Sequence, residues 1–424
     1  MIWILLVTLV ILFLISTPIA IALGSATALA VIWTGEMPVL AIVQRMFNSV
    51  DMFPLMAIPF FILAGSLMET GGISRRLINF ASALVGEMKG GLAAVAVVTS
   101  MFFAAISGSS PATVAAIGSI LIPAMVARGY HRDFAAAVQA TSGGLGVIIP
   151  PSIPIILYGV TAEVSVGDLF IAGILPGLLV SFSLLLLVYF ISRIKGYKGT
   201  ESSTPKQKLV AFKEAALALL MPVIILGGIY GGIFTPTEAA VVAVVYAFIV
   251  GKFVYREITW KSVMGIFSRS AVTTSIIMII IANAGVFGWL LTRERVPQMV
   301  AESFLNYTES PIIFLLLINL LLLFVGMIFE TSAAIIILAP ILAPIAVMVG
   351  IDPVHFGIIM VVNLAIGMVT PPVGVNLFVA APIAGTSLEK ISRAVLPFIA
   401  LLIINVLMIS FIPKISTVLL DIFK

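Results

Sequence analysis

Cysteine is absent from the sequence, and histidine occurs only as His131 and His355, each expected in a short polar loop. The first absence excludes disulfides, thiolate nucleophiles and thiolate metal sites. Charge is also scarce: 9% of residues are Asp, Glu, Lys or Arg, against about a quarter in soluble domains. Catalytic signatures are missing. No serine has glycine two residues before and two after it, and neither His-Glu-x-x-His nor a Walker A lysine motif occurs. Without a nucleotide site or a reaction signature, the chain is not expected to be an enzyme, and any energy must come from an ion gradient or a partner. The net charge of +4 is spread over loops, which excludes a nucleic-acid-binding stripe.

What remains is apolar. Hydrophobic residues make up 62% of the chain and the mean hydropathy is +1.27. Stretches between charge clusters are long enough to cross hydrocarbon, which takes about 20 helical residues. They lack the alternation of an outer-membrane barrel, so an all-α polytopic membrane protein is expected. Spans fall near 3–33, 52–68, 133–160, 169–192, 213–234, 236–250, 262–291, 354–383 and 391–413. Two further apolar pairs, 90–127 and 311–349, are interrupted by small polar tips and read as re-entrant hairpins. The N-terminus has no basic region and no cleavage signal, so 3–33 is expected as one retained helix.

Placing the N-terminus inside, with each span crossing once, puts 17 of the 22 basic residues in inside loops, including Arg75, Arg76, Arg128, Arg132 and Lys390. Outside loops hold Arg45, Arg293 and Arg295, and the tail 414–424 holds Lys414 and Lys424. The C-terminus is then outside. Only Arg193–Lys213, rich in Lys, Ser and Thr, resembles a soluble linker.

Residues 109–192 align with 330–413 at a constant shift of 221, without a gap. Pro123, Gly129, Gly146 and Pro176 fall on Pro344, Gly350, Gly367 and Pro397, and Pro150-Pro151 falls on Pro371-Pro372. Upstream, Thr17-Pro18 aligns more weakly with Thr235-Pro236. Equivalent loops carry opposite charge: Arg128–Asp133 is basic, whereas its counterpart Gly350–His355 has only Asp352 and a histidine. The duplication therefore reads as inverted, with repeats at 1–192 and 235–413, joined by a cytosolic linker and connecting helix at 193–234. Inverted repeats with midplane sites at their interface are typical of secondary transporters.

Each half contains a hydroxyl-bearing tip and a Gly/Pro break. The first has Ser107-Gly108-Ser109-Ser110-Pro111-Ala112-Thr113 and then Gly143–Ser152; the second has Glu330-Thr331-Ser332 and then Asn363–Asn376. Pro150 and Pro151 deprive the Gly146 and Val147 carbonyls of helical partners; Pro371 and Pro372 do the same to Gly367 and Met368. Freed carbonyls at membrane depth need a donor or a hard cation, and sodium with tip hydroxyls meets that need. The half-helix restarting after each Pro-Pro offers N–H groups and a positive dipole end to an anion. A plain kink is the other reading of one such stretch; two in matched positions favour a site. Glu330 reads as a functional tip carboxylate or a wetted tip residue. Glu238 reads as a possible cap in Thr235-Pro236-Thr237-Glu238, and His131, with Arg128 and Arg132, as part of a solvated basic loop.

These runs resemble the large membrane subunit of the tripartite ATP-independent periplasmic (TRAP) transporters over essentially the whole chain. The resemblance is most specific in Ser107–Thr113, Gly143–Ser152, Glu330–Pro344 and Gly350–Asn376. It implies an elevator-type fold, similar to the ion transporter superfamily, in the bacterial inner membrane. It also implies a small four-helix membrane partner, a periplasmic substrate-binding protein, and sodium-driven import of an organic anion, usually a carboxylate. By position, one sodium site would use Ser107, Ser109, Gly146 and Val147, and the other Thr331, Gly367, Met368 and Thr370. Substrate contacts are expected at Ser110, Ser152, Glu330 and Asn376. The tip acid is often Asp in that family, which leaves the role of Glu330 open. A self-sufficient carrier of the divalent-anion/sodium symporter type is the alternative. A proton-pumping subunit is disfavoured, because no intramembrane path of Lys and Glu is present.

Overall fold

The N-terminal apolar run is folded back on itself. In this computed structural model, which describes residues 1–35, 37–200, 202–305 and 310–423, α1 (Ile2–Leu14) and α2 (Ile19–Thr34) are separate helices. The single span expected at 3–33 is thus corrected. Pro18 has no N–H and disfavours helix at the residue before it. The chain reverses there, and Thr34 Oγ1 ends 3.5 Å from the Met1 sulfur. Met1 and Thr34 therefore lie at the same end of this helix pair.

An amphipathic α3 (Leu40–Val50) leads through a short 3-10 turn into α4 (Ala57–Thr70). A corner at Gly71-Gly72, where Gly72 takes φ 77°, turns the chain into α5 (Ile73–Val85). The first hairpin follows as α6 (Gly91–Ser107) and α7 (Ser110–Ala127). The first broken helix is α8 (Arg132–Gly143), α9 (Leu145–Ile148) and α10 (Ile153–Thr161), bent by 42° at the break. Next come α11 (Val166–Lys195), α12 (Pro205–Tyr230) and α13 (Pro236–Ile249), the last extended by a π-helical turn at Val250–Val254. Then α14 (Trp260–Arg293) and α15 (Val296–Leu305) precede the second hairpin, α16 (Pro311–Ile328) and α17 (Thr331–Met348). The second broken helix is α18 (Pro353–Gly367) and α19 (Val375–Ala384), followed by α20 (Leu388–Phe411) and α21 (Lys414–Phe423). Among the described residues every regular element is helical, and nine helices are long and apolar enough to cross a membrane.

The hairpins at 90–127 and 311–349 and the breaks expected within 133–160 and 354–383 are present. Between the hairpins lie the bent pair α8–α10 and four helices long and apolar enough to span, α11, α12, α13 and α14. With one crossing each, the hairpins enter from opposite faces, as an inverted arrangement requires. Each hairpin packs on the other half's broken helix: α7 on α19, and α17 on α10. Helices α2, α4, α13 and α14 form a separate frame, joined to the hairpins through α4 against α6 and α14 against α17.

Two expected loops are more ordered than their composition suggested. The stretch Arg193–Lys213 is mostly helix, because α11 runs to Lys195 and α12 starts at Pro205. Thr204 and Gln207 form a capping box there. The remainder is stitched down by Gly90 N–H to Tyr197 O (3.1 Å) and Thr200 N–H to Gly86 O (2.7 Å). The expected tail is also helical: α21 packs on α11 and α18, while Lys424 lies outside the described residues. His355 is not in a polar loop either. It is 2% exposed, with Nδ1 2.6 Å from Ser416 Oγ and Nε2 3.3 Å from Ser410 O. The expected loop ends at Asp352, whose carboxylate caps α18 by accepting from His355 N–H.

Candidate functional site

The first hairpin ends in a tight oxygen cluster. Gly108 takes φ 58° at the tip, and Ser109 is the extended residue that opens α7. Ser107 Oγ lies 2.8 Å from Thr113 Oγ1, which donates to Ser109 O at 2.8 Å. The first break packs directly on this cluster. A methyl group on Gly146 would lie 2.5 Å from Ser109 O and 2.6 Å from Thr113 Oγ1, so only glycine permits the approach. Beyond the break, Ile153 N–H donates to Gly108 O at 3.4 Å.

The second half repeats the plan with different side chains. Gly326 of α16 and Gly367 of α18 meet so closely that a methyl on Gly367 would lie 2.3 Å from the Gly326 carbonyl carbon. Gly374 N–H donates to Met327 O at 3.2 Å, docking that break on its hairpin tip. Buried Thr331 places its hydroxyl 2.9 Å from the Met368 sulfur. Of the residues expected to bind cations, Ser107, Ser109 and Gly146 meet in the first half, together with Thr113, and Thr331 meets Met368 in the second. The place of Thr113 at the tip was visible in the sequence, but its hydroxyl contact came only with folding.

Three of the four carbonyls freed by proline have found protein donors. Val147 O accepts from Ser152 Oγ at 2.6 Å. Gly367 O accepts from Thr370 N–H at 2.9 Å, and Met368 O from Asn376 N–H at 3.0 Å. Each carbonyl has a second lone pair, so these bonds orient it without removing it as a potential cation ligand. Thr370 Oγ1 bonds back to Ile366 O at 2.8 Å. The N–H groups of Ile153, Gly374 and Asn376 are occupied, so these three are not among the free N–H groups expected at the half-helix ends.

A cavity of about 440 Å³ lies between the frame and the hairpin tips. Its polar lining is Ser66 and Glu69 of α4, Ser107, Ser109, Thr273 of α14, Glu330 and Ser332. No lysine or arginine lines it among the described residues. It reaches the face bearing Arg75 and Arg76 near exposed Glu69, and Ile336 separates it from a second cavity of about 260 Å³.

Of the four positions expected to touch substrate, only Glu330 lines the cavity. Its carboxylate caps α17, accepting from Ser332 N–H (2.9 Å), Ser332 Oγ (3.0 Å) and Ala333 N–H (3.3 Å). Ser110, Ser152 and Asn376 are at most 1% exposed. Ser110 and Asn376 bond each other, and Asn376 also donates to Ala140 O at 3.0 Å. These three hold elements together and are not cavity contacts. The tips therefore differ in one respect: α17 is capped by a carboxylate, whereas α7 has no side-chain cap and presents Ser109, Pro111 and Ala112 to the cavity.

Outside the cavity, Glu238 closes a capping box, its carboxylate accepting from Thr235 N–H at 2.8 Å. His131 lies in an exposed basic loop, 3.5 Å from the Asp133 carboxylate. Among the described residues no three His, Cys, Asp or Glu side chains converge as a metal site. Neutral hydroxyl and carbonyl oxygens of the kind found at the two breaks suit alkali cations better than transition metals.

The family model of the tripartite ATP-independent periplasmic transporter DctM component matches residues 6–415. The isethionate TRAP transporter permease protein DctMQ of Oleidesulfovibrio alaskensis is 50% identical over 95% of this chain, which spans 63% of that protein's length. The C4-dicarboxylate TRAP transporter large permease protein DctM of Pseudomonas aeruginosa is 46% identical, with 93% and 92% of the two chains covered. The sialic acid TRAP transporter large permease protein SiaM of Vibrio cholerae is 41% identical over 90% and 89%. Among solved structures, the YdaH transporter of Alcanivorax borkumensis shares the fold at 16% identity, with a TM-score of 0.64 over 87% of this chain and 86% of that one. A match across nearly the whole sequence, on a fold with two hairpins meeting two broken helices, shows that the chain is a multi-pass membrane protein of the DctM family of tripartite ATP-independent periplasmic transporters.

Proposed function

We propose that this subunit imports an organic anion across the bacterial inner membrane, driven by sodium. The observation that carries the reading is the cavity's charge. Among the described residues its ionisable groups are the carboxylates Glu69 and Glu330, and no basic side chain lines it. An anion placed there needs opposite charge brought by another ligand. An oxygen cluster at Ser107, Ser109, Thr113 and Gly146 borders the cavity, and Thr331, whose hydroxyl meets Met368, lies behind the Glu330 tip with Gly367 and Thr370 on the facing break. Sodium co-transported at these two places would supply that charge, as cargo. The uncapped N-terminus of α7 would then face the anion, while Glu330 sits nearer the second cation.

The relatives are named for isethionate, C4-dicarboxylates and sialic acid. All three are organic anions, which supports that class for this chain; a carboxylate is the proposed member. The hairpins and broken helices would move as one body against the α2, α4, α13 and α14 frame, an elevator motion. A small four-helix subunit and a periplasmic binding protein would complete the transporter. With the basic face in the cytosol, the cavity opens inward, and Met1 and α21 are both periplasmic.

The test is uptake of a labelled C4-dicarboxylate or sulfonate into proteoliposomes containing the chain, its small subunit and the cognate binding protein. Uptake is expected to require an inward sodium gradient. Uptake unchanged when choline replaces sodium would sink the coupling, and robust uptake without a binding protein would support the self-sufficient carrier instead.

A further inference from the structure

On the basic face, away from the transport cavity, α5, α12 and the π-helical turn after α13 enclose a pocket of about 440 Å³. Three basic residues line it, and they are not equivalent. Arg76 is fully engaged: its guanidinium bonds Glu257 at 2.8 Å and Gly72 O at 2.9 Å, and lies 3.7 Å over the Tyr255 ring. Tyr255 in turn donates its hydroxyl to Glu214 O at 3.0 Å. This assembly forms a rigid wall.

Arg75 and Lys213 are less tightly held. Arg75 comes no nearer than 3.9 Å to Glu257, whose carboxylate already serves Arg76, and its side chain is 72% exposed. Lys213 is exposed and forms no ion pair among the described residues. Asn79, one helical turn beyond Arg75, adds an amide from the same face of α5. Glu214 is the single acid lining the pocket, beside Lys213. The rim is apolar: Leu217 and Val254 line it, and neighbouring Phe212, Phe253 and Val254 are 48%, 59% and 53% exposed. Two exposed cations and an amide beneath such a rim match a group with an anionic head and hydrocarbon tails.

The geometry points to a binding site for one anionic phospholipid, its phosphate held by Arg75 and Lys213 and its acyl chains lying along Leu217 and Val254. A soluble phosphate would use the same cations but gain nothing from the rim. Basic pockets between membrane helices at the cytoplasmic interface bind lipid headgroups on this principle. The site does not depend on what the transporter carries. Bound lipid would bridge α5, which leads into the first hairpin, and α12.

The test is native mass spectrometry of the delipidated full chain in detergent, titrated with phosphatidylglycerol or phosphatidylcholine. One phosphatidylglycerol is expected to bind in preference to phosphatidylcholine. Arg75→Gln with Lys213→Gln is expected to weaken that binding about thirtyfold. The charge-conserving pair Arg75→Lys with Lys213→Arg should retain it, which separates lost charge from lost fold. Equal affinity for the two lipids, or undiminished binding by the doubly neutralised variant, would overturn the proposal. So would displacement of the lipid by millimolar inorganic phosphate, which would mark the pocket as a soluble-anion site.

Discussion

The side-chain amide of Asn376 donates to Ser110 Oγ at 2.7 Å, joining residues 266 positions apart. Both are fully buried, and Asn376 reaches on to Ala140 O. One side chain therefore ties the second broken helix to the first hairpin and to α8. The two inverted halves are held as one body at their interface.

Replacing Asn376 with Ala strands Ser110 and the Ala140 carbonyl, whereas Ser110→Ala leaves Asn376 its backbone partner. An unsatisfied buried polar group costs about 1–3 kcal/mol. Asn376→Ala is expected to lower the melting temperature in detergent more than Ser110→Ala, and the double variant should lose less than the sum. Strict additivity would show that the two do not act together.

Gly367→Ala places a methyl against the backbone of Gly326, which has no side chain to yield. Overpacking of this kind costs about 1–3 kcal/mol. Uptake should be abolished and the melting temperature reduced. Gly146→Ala meets one backbone oxygen and one hydroxyl, and should chiefly raise the sodium concentration needed for half-maximal uptake. An unaltered sodium titration would remove Gly146 from the cation site.

Glu330 is both the cap of α17 and a cavity carboxylate, and two variants separate the roles. Glu330→Ala loses the cap, worth about 1 kcal/mol, and should lower the melting temperature. Glu330→Gln keeps an acceptor for the Ser332 and Ala333 N–H groups but removes the charge. It should melt close to wild type and transport with weakened sodium dependence. Wild-type sodium dependence in the glutamine variant would reduce Glu330 to a structural cap.

The chain has no cysteine, so single substitutions report sidedness cleanly. Arg45→Cys and an N-terminal epitope should be accessible from the same side, and His131→Cys from the other. An epitope found on the side of position 131 would overturn the antiparallel arrangement of α1 and α2. His355→Cys should resist labelling from either side, because the position is buried.

Glu87 is held below the usual carboxylate range, first by the Lys208 hydrogen bond and then by that from Ser202. Because the folded value is depressed, the contribution to stability is present above the unfolded value, about 4.3. It is lost as pH falls through the folded value. The Thr200 amide, bonded to Gly86 O, should therefore keep its hydrogen-exchange protection down to about pH 4 and lose it below. Glu87→Gln should lose part of that protection at neutral pH; identical exchange in the two proteins would show that the pair does not hold this segment's Thr200 in place.

Much of this architecture was legible in the sequence because its signals are local or periodic. Uninterrupted apolar runs mark the helices, and lysine and arginine mark one face. Proline without an N–H breaks a helix wherever it falls, and the gapless alignment across 221 residues displayed the repeat. The tips at Ser107–Thr113 and Glu330–Ser332 stood out for the same reason: small polar residues rarely interrupt hydrocarbon-spanning segments without cause. Tertiary structure decided which groups meet. Hydropathy could not reveal that Ser152 takes the Val147 carbonyl, that Ser110 faces Asn376, or that the carboxylate of Glu330 turns back onto its own helix. Nor could it show that 3–33 doubles back, since two antiparallel apolar helices and one long helix read alike until the chain packs. Burial of His355 against Ser416 depended on α21 returning to cover it. These outcomes follow from partners distant in sequence, and a hydrogen-bond partner is chosen by where the backbone brings it.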